Sequence, residues 1–123
     1  MSTLTSGSQG EGWGSTYMQV TPVNTFVGFE SGVNTRYDPK AWDANQGSRN
    51  VFLGYQAGQG NRYGHHNVFM GYQAGQNIVG DSLDDFSNSF NILIGPGTGR
   101  NLEYSYSNLF VGNGAGQQMI TGE

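Results

Sequence analysis

Cysteine is absent from the 123 residues, which removes disulfides and thiolate metal sites together. Basic residues are scarce. Five Lys and Arg stand against nine Asp and Glu, giving a net charge of −4, and the five are not clustered. A nucleic-acid groove needs a basic stripe to neutralise phosphates, so no nucleic-acid partner is expected. No apolar run approaches the roughly 20 residues of a membrane span, and no membrane insertion is expected. The opening MSTLTSGSQGEGWGS has neither a basic n-region nor an apolar h-region, so it does not read as a secretion signal. Export, if any, then runs by another route.

Glycine is abundant instead: 21 residues, with no strict G-X-Y period. That is more than twice average usage, and the missing period excludes collagen. The 13% aromatic content argues against simple disorder, because disordered chains are poor in aromatics. A chain of this length reads as one domain with a modest core.

The glycines belong to a repeat. NVFLGYQAG at 50–58 returns as NVFMGYQAG at 67–75, and the relaxed pattern N-x-apolar-apolar-G-x-x-x-G occurs five times. The copies start at Asn24, Asn50, Asn67, Asn91 and Asn108, with separations of 26, 17, 24 and 17 residues. A base period of 17 carries inserts at 37–46 and 80–87. Self-similarity of this kind dictates the fold class. Two glycines per unit cost about 1 kcal/mol each inside a helix. The short β-branched and aromatic run between Asn and Gly reads as a strand. Seventeen residues are too few for a propeller blade or a leucine-rich unit with a helix. They suit one coil of a β-solenoid with two short strands and two turns. Five coils would rise about 24 Å.

Each repeated position has an expected task. The Asn column (24, 50, 67, 91, 108) would stack as an amide ladder along the coil axis. The fifth-position glycines Gly28, Gly54, Gly71, Gly95 and Gly112 would turn a corner needing positive φ or close approach. The eighth position is small (Ser31, Ala57, Ala74, Thr98, Ala115), and the ninth-position Gly closes the turn. A less regular second strand would include Ile78-Val79, Leu102 and Met119-Ile120. Successive strand residues face opposite sides, yet both sides of these strands are apolar, except at Thr25. Strands apolar on both faces need two covers. One is the coil interior; the other would be a further copy of the chain. The column Phe26, Phe52, Phe69, Leu93 and Phe110 is accordingly read as oligomer interface or core. Left to water it would form an apolar stripe of several hundred Å².

The unit N-V-F-L-G-Y-Q-A-G resembles the repeats of trimeric left-handed β-rolls, in the heads of trimeric autotransporter adhesins and in bacteriophage tail fibres. The G-Y-Q-A-G variant is more similar to the phage-fibre type. The resemblance covers residues 24–120. It implies an all-β, left-handed parallel β-roll of about five coils, intertwined or side by side in a homotrimer. The absence of an adhesin's signal, stalk and anchor favours a virion protein assembled in the host cytoplasm. The expected function is therefore a structural one: a trimeric tail fibre, or a small spike or decoration protein. Alternatives are a glycan-binding receptor or adhesin module and a small polysaccharide depolymerase.

Recognition would fall on the variable parts. The inserts at 37–46 and 80–87 each hold an aromatic and at least two acids, and such insertions often line a binding face. Trp42 with Asp38 and Asp43, and Phe86 in the second loop, could stack on a sugar and bind its hydroxyls, or pack on a neighbouring subunit. The sixth-position aromatics Phe29, Tyr55 and Tyr72 could offer a flat sugar-binding stripe or pack on themselves. His65-His66 reads as a surface turn rather than a threefold metal ring. Asp81, Asp84 and Asp85 lack EF-hand spacing. GPGTGR (95–100) and GNGAG (112–116) lack the following helix and Lys of a phosphate loop. No carboxylate pair is fixed among Glu30, Asp38, Asp43, Asp84, Asp85 and Glu103, and no Ser-His-Asp signature is visible. Hence no catalytic residue, metal or cofactor is expected. Residues 1–23, with Trp13 and Tyr17, read as an extended arm for attachment to other virion proteins, with strand-like alternation at 17–20.

Overall fold

The computed structural model describes residues 18–20, 23–36, 47–78, 88–103 and 105–117. These are all-β: among them there is no helix, and one six-stranded sheet runs β1(Met18–Val20), β2(Asn24–Val27), β3(Asn50–Leu53), β4(Val68–Met70), β5(Ile92–Ile94), β6(Leu109–Val111) in spatial order. The sheet is open. β2 to β6 are parallel, and each pairs in register with its equivalent: Phe26 with Phe52, Phe52 with Phe69, Phe69 with Leu93, Leu93 with Phe110. β1, part of the expected arm, instead pairs antiparallel with β2 of its own chain.

After each of β2 to β5 the chain makes three consecutive turns closed by i→i+3 hydrogen bonds, and two are described after β6. In the second unit these are Ala57 N–H to Gly54 O, Gln59 N–H to Gln56 O and Asn61 N–H to Gly58 O, at 3.0–3.2 Å. The third residue of the first two turns has positive φ, the signature of a type II turn. In the second unit these are Gln56 at 56° and Gly58 at 62°. Among the described residues these units hold no second strand and only isolated bridge positions at Glu103 and Ser105, which corrects the expected second strand. Ile78 and Leu102 are buried but lie on turn and irregular backbone. Val79 and Met119-Ile120 lie outside the described residues.

The core is a stack of rings and small side chains within one chain. Phe26, Phe52 and Phe69 lie face to face, with centroids 4.8 and 4.6 Å apart and planes within 9°, and Leu93 continues the column. Of the two roles open to this column it takes the core. The ninth glycine shows why. A Cβ on Gly75 would meet the Phe69 ring at 2.7 Å, and φ there is +61°. The fifth glycine is constrained from the other side: a Cβ on Gly54 would lie 2.5 Å from the carbonyl oxygen of Gly71, with φ at +134°. Corner therefore stacks on corner with no room for a side chain between.

The buried asparagines bind differently from an amide-on-amide ladder. Asn50 Oδ1 accepts the backbone N–H of Asn67 at 3.0 Å, and Asn50 Nδ2 donates to Gly64 O at 2.9 Å, three residues earlier in the next unit. Asn24, Asn67 and Asn91 repeat this pair of bonds onto the units that follow them. Each Asn thus staples its own strand to the turn that launches the next. Buried main-chain groups need partners, and the side-chain amide, with one acceptor and one donor end, supplies both. Asn108, with no described unit after it, turns its amide back to Asn91 Oδ1 at 3.1 Å.

Candidate functional site

Burying the Phe column turns its neighbours outward. Thr25, Val27, Val51, Leu53 and Val68 are half-buried, while Met70, Ile92, Ile94, Leu109 and Val111 are exposed. Because the strands are parallel and in register, these residues form two straight apolar columns on the outer sheet face. Exposure rises along the sheet, from half-buried on β2 to 66% at Leu109 and 65% at Val111. The exposed five alone amount to several hundred Å² of apolar surface, the size at which a patch on a monomer marks an interaction site. The strand thus has two apolar faces, and among the described residues its own chain fully buries one.

The sixth-position rings do form a stack. Phe29, Tyr55 and Tyr72 sit 5.5 and 5.3 Å apart with planes within 15°, and Pro96 and Asn113 occupy the same position in the last units. Ring faces point along the stack, where each covers its neighbour, and edges point to solvent. The column thus packs on itself, one of the two roles that the sequence left open. Beside it runs a ladder of side-chain amides. Gln56 Nε2 and Gln59 Nε2 donate to Glu30 Oε1 at 2.9 and 3.2 Å, Gln73 and Gln76 donate to Gln56 Oε1, and Arg100 Nε donates to Gln76 Oε1 at 2.9 Å. Glu30 is therefore engaged as the acceptor at one end of a structural ladder.

His65 is buried rather than on a surface turn. Its Nδ1 lies 2.8 Å from His66 Nδ1, so one imidazole donates and the other accepts, and both rings pack on Phe90. Main-chain geometry explains the placement. The residue before each repeat Asn is left-handed in four units: Arg49, His66, Phe90 and Ser107, at φ 56–60°. In three of the four units the residue before that kink is buried, Ser48, His65 and Ser89, while Tyr106 before Ser107 is exposed.

Among the described residues no three His, Asp or Glu converge as a metal-binding group, and no helix is long and apolar enough to cross a membrane. Trp42, Asp43 and Phe86, with Asp38, Asp81, Asp84 and Asp85, lie outside the described residues, as do Trp13 and Tyr17. The structure places Tyr55 and Tyr72 together and the repeat Asn and Gly columns together. The outward columns were visible in the sequence as apolar residues flanking each Phe, but which side faces out was not. No protein-family model, curated protein or solved structure matches the chain.

Proposed function

We propose that the chain is a structural module without catalytic chemistry: a β-solenoid whose coils stack into a rod, three of which pack side by side through their outward sheet faces. The observation that carries this reading is the double column of apolar residues on that face, most exposed at Ile92, Ile94, Leu109 and Val111. A flat, continuous apolar face repeated at strand spacing is suited to an identical surface, and closed rotational symmetry satisfies every copy alike. Side chains committed to staples and ladders, such as the buried Asn column and Glu30, further support a scaffold over an active site. The assignment to a phage fibre, spike or decoration protein draws its support from the resemblance of N-x-F-x-G-Y-Q-A-G to fibre repeats. The threefold number has the same source.

The test is the mass of the purified protein in solution by light scattering across a dilution series. The reading predicts three chains per particle at the dilute end of the series. A folded single chain at all concentrations would contradict it.

A further inference from the structure

We infer that the chain also associates end to end, by adding the free edge of β1 from one copy to the free edge of β6 in another, so that the sheet continues from molecule to molecule.

Both ends of the sheet are unpaired among the described residues, but they differ. At three of the four parallel junctions the second residue of a unit donates its N–H to the next Asn carbonyl: Val51 to Asn67, Val68 to Asn91 and Ile92 to Asn108, at 2.8–2.9 Å. The next residue turns back to the preceding strand, as parallel ladders require. By this alternation Leu109 and Val111 aim their N–H and C=O groups away from β5. The corner shows the same vacancy. Among the corner glycines Gly28, Gly54, Gly71, Gly95 and Gly112, a Cβ would strike the next unit in the first four and meets nothing within 4 Å at Gly112. Such an edge, with 65–66% exposed Leu109 and Val111, is a template for a further strand.

β1 fits that template in polarity and register. It pairs antiparallel with β2, with Gln19 opposite Phe26. The groups of Phe26 point toward β1, so those of Gln19 are used on that side, and those of Met18 and Val20 point to the free edge. If a second copy continues the sheet in line, its β1 runs antiparallel to β6 and places Val20 opposite Leu109 and Met18 opposite Val111. At each of these two positions both residues have their N–H and C=O directed at the seam, the doubly bonded pair of an antiparallel ladder. A contact joining different surfaces of identical molecules does not close on itself and builds an open filament. The occupant is thus a second copy of this chain, held by strand addition.

The cysteine-free sequence allows a direct test. In-line pairing puts Val20 and Leu109 about 5.5 Å apart between Cα atoms, within disulfide range. In one chain β1 and β6 are five strand spacings apart, about 24 Å, so an internal disulfide cannot form. The chain carrying Val20→Cys and Leu109→Cys, oxidised and run without reductant, is expected to give a ladder of two, three, four and more chains that reductant collapses. Each single variant is expected to stop at dimers at most. A second pair, Met18→Cys with Val111→Cys, reads the same contact independently should the first disturb folding. Failure of both pairs to link more than two chains, with circular dichroism matching the parent, would overturn the inference. A seam between two three-residue strands is weak by itself, so the filament is read by trapping it as disulfides at high protein concentration, whereas the particle mass that tests side-by-side packing is read at high dilution, where end contacts are open.

Discussion

Phe69 and Met70 are neighbours in sequence, similar in size and both apolar, yet Phe69 is fully buried and Met70 is 38% exposed. The same division runs through β2 to β6. The inward column is defined by its own chain: rings stack at 4.6–4.8 Å, a ninth glycine leaves room for each ring, and an asparagine two residues earlier staples the backbone. Nothing described in the chain defines the outward column in that way. The inward residues build the rod, and the outward residues remain for what the rod meets. One strand therefore carries two separable tasks, and variants on its two faces differ in kind as well as in size.

The largest effect is expected inside. Phe69→Ala removes the middle of a stacked column and leaves a cavity between Phe52 and Leu93, at a cost of about 3–5 kcal/mol. Urea denaturation is expected to show this loss at every protein concentration. Asn67→Ala comes next. It strands the buried N–H of Asn91 and the carbonyl of Asn88, bonded at 2.9 and 2.7 Å, and is expected to cost about 2–4 kcal/mol by the same measurement. Met70→Ala, one residue from Phe69, is expected to change the intrinsic stability of the chain by under about 1 kcal/mol. Its effect should appear instead as a shift in the concentration dependence of the unfolding midpoint, because a residue acting between copies contributes by mass action. Equal losses from Phe69→Ala and Met70→Ala at high dilution would erase the distinction between the two faces.

The five parallel strands β2 to β6 and their register were legible because five Asn-to-Gly frames place the same side-chain types at the same offsets. The corner glycines were legible for the same reason, and Gly54 has both features expected of it, positive φ and an adjacent backbone. Which face lay inside was not legible, since residues on both sides of each strand are apolar and alternation carries no sign. That information sits in a longer relation, between Phe69 and a glycine six residues later whose Cβ the ring excludes. The second strand was expected from apolar Ile78 and Leu102, whose column, with Thr35 and Asn61, is buried yet joins no strand of the sheet. A signal for its turns existed: the seventh position reads Glu, Gln, Gln, Gly, Gly, and glycine in that column marks the left-handed backbone that Glu30, Gln56 and Gln73 also adopt. The amide ladder was anticipated in residue but not in partner, since a backbone acceptor three residues before the next Asn leaves no trace in composition. His65 was misplaced because the left-handed residue after it, His66, has no glycine to announce it.

The most direct measurement is the particle mass of the parent chain beside that of a chain carrying Ile92→Lys and Ile94→Lys, which charge the centre of the exposed outward columns and leave the inward column intact. At high dilution, where end-to-end contacts are open, the account predicts three chains per particle for the parent and one for the variant, with a β-type circular dichroism spectrum retained. A parent that is a folded single chain, or a doubly charged variant that keeps the parent's mass, would contradict the claim that the outward face is where copies meet.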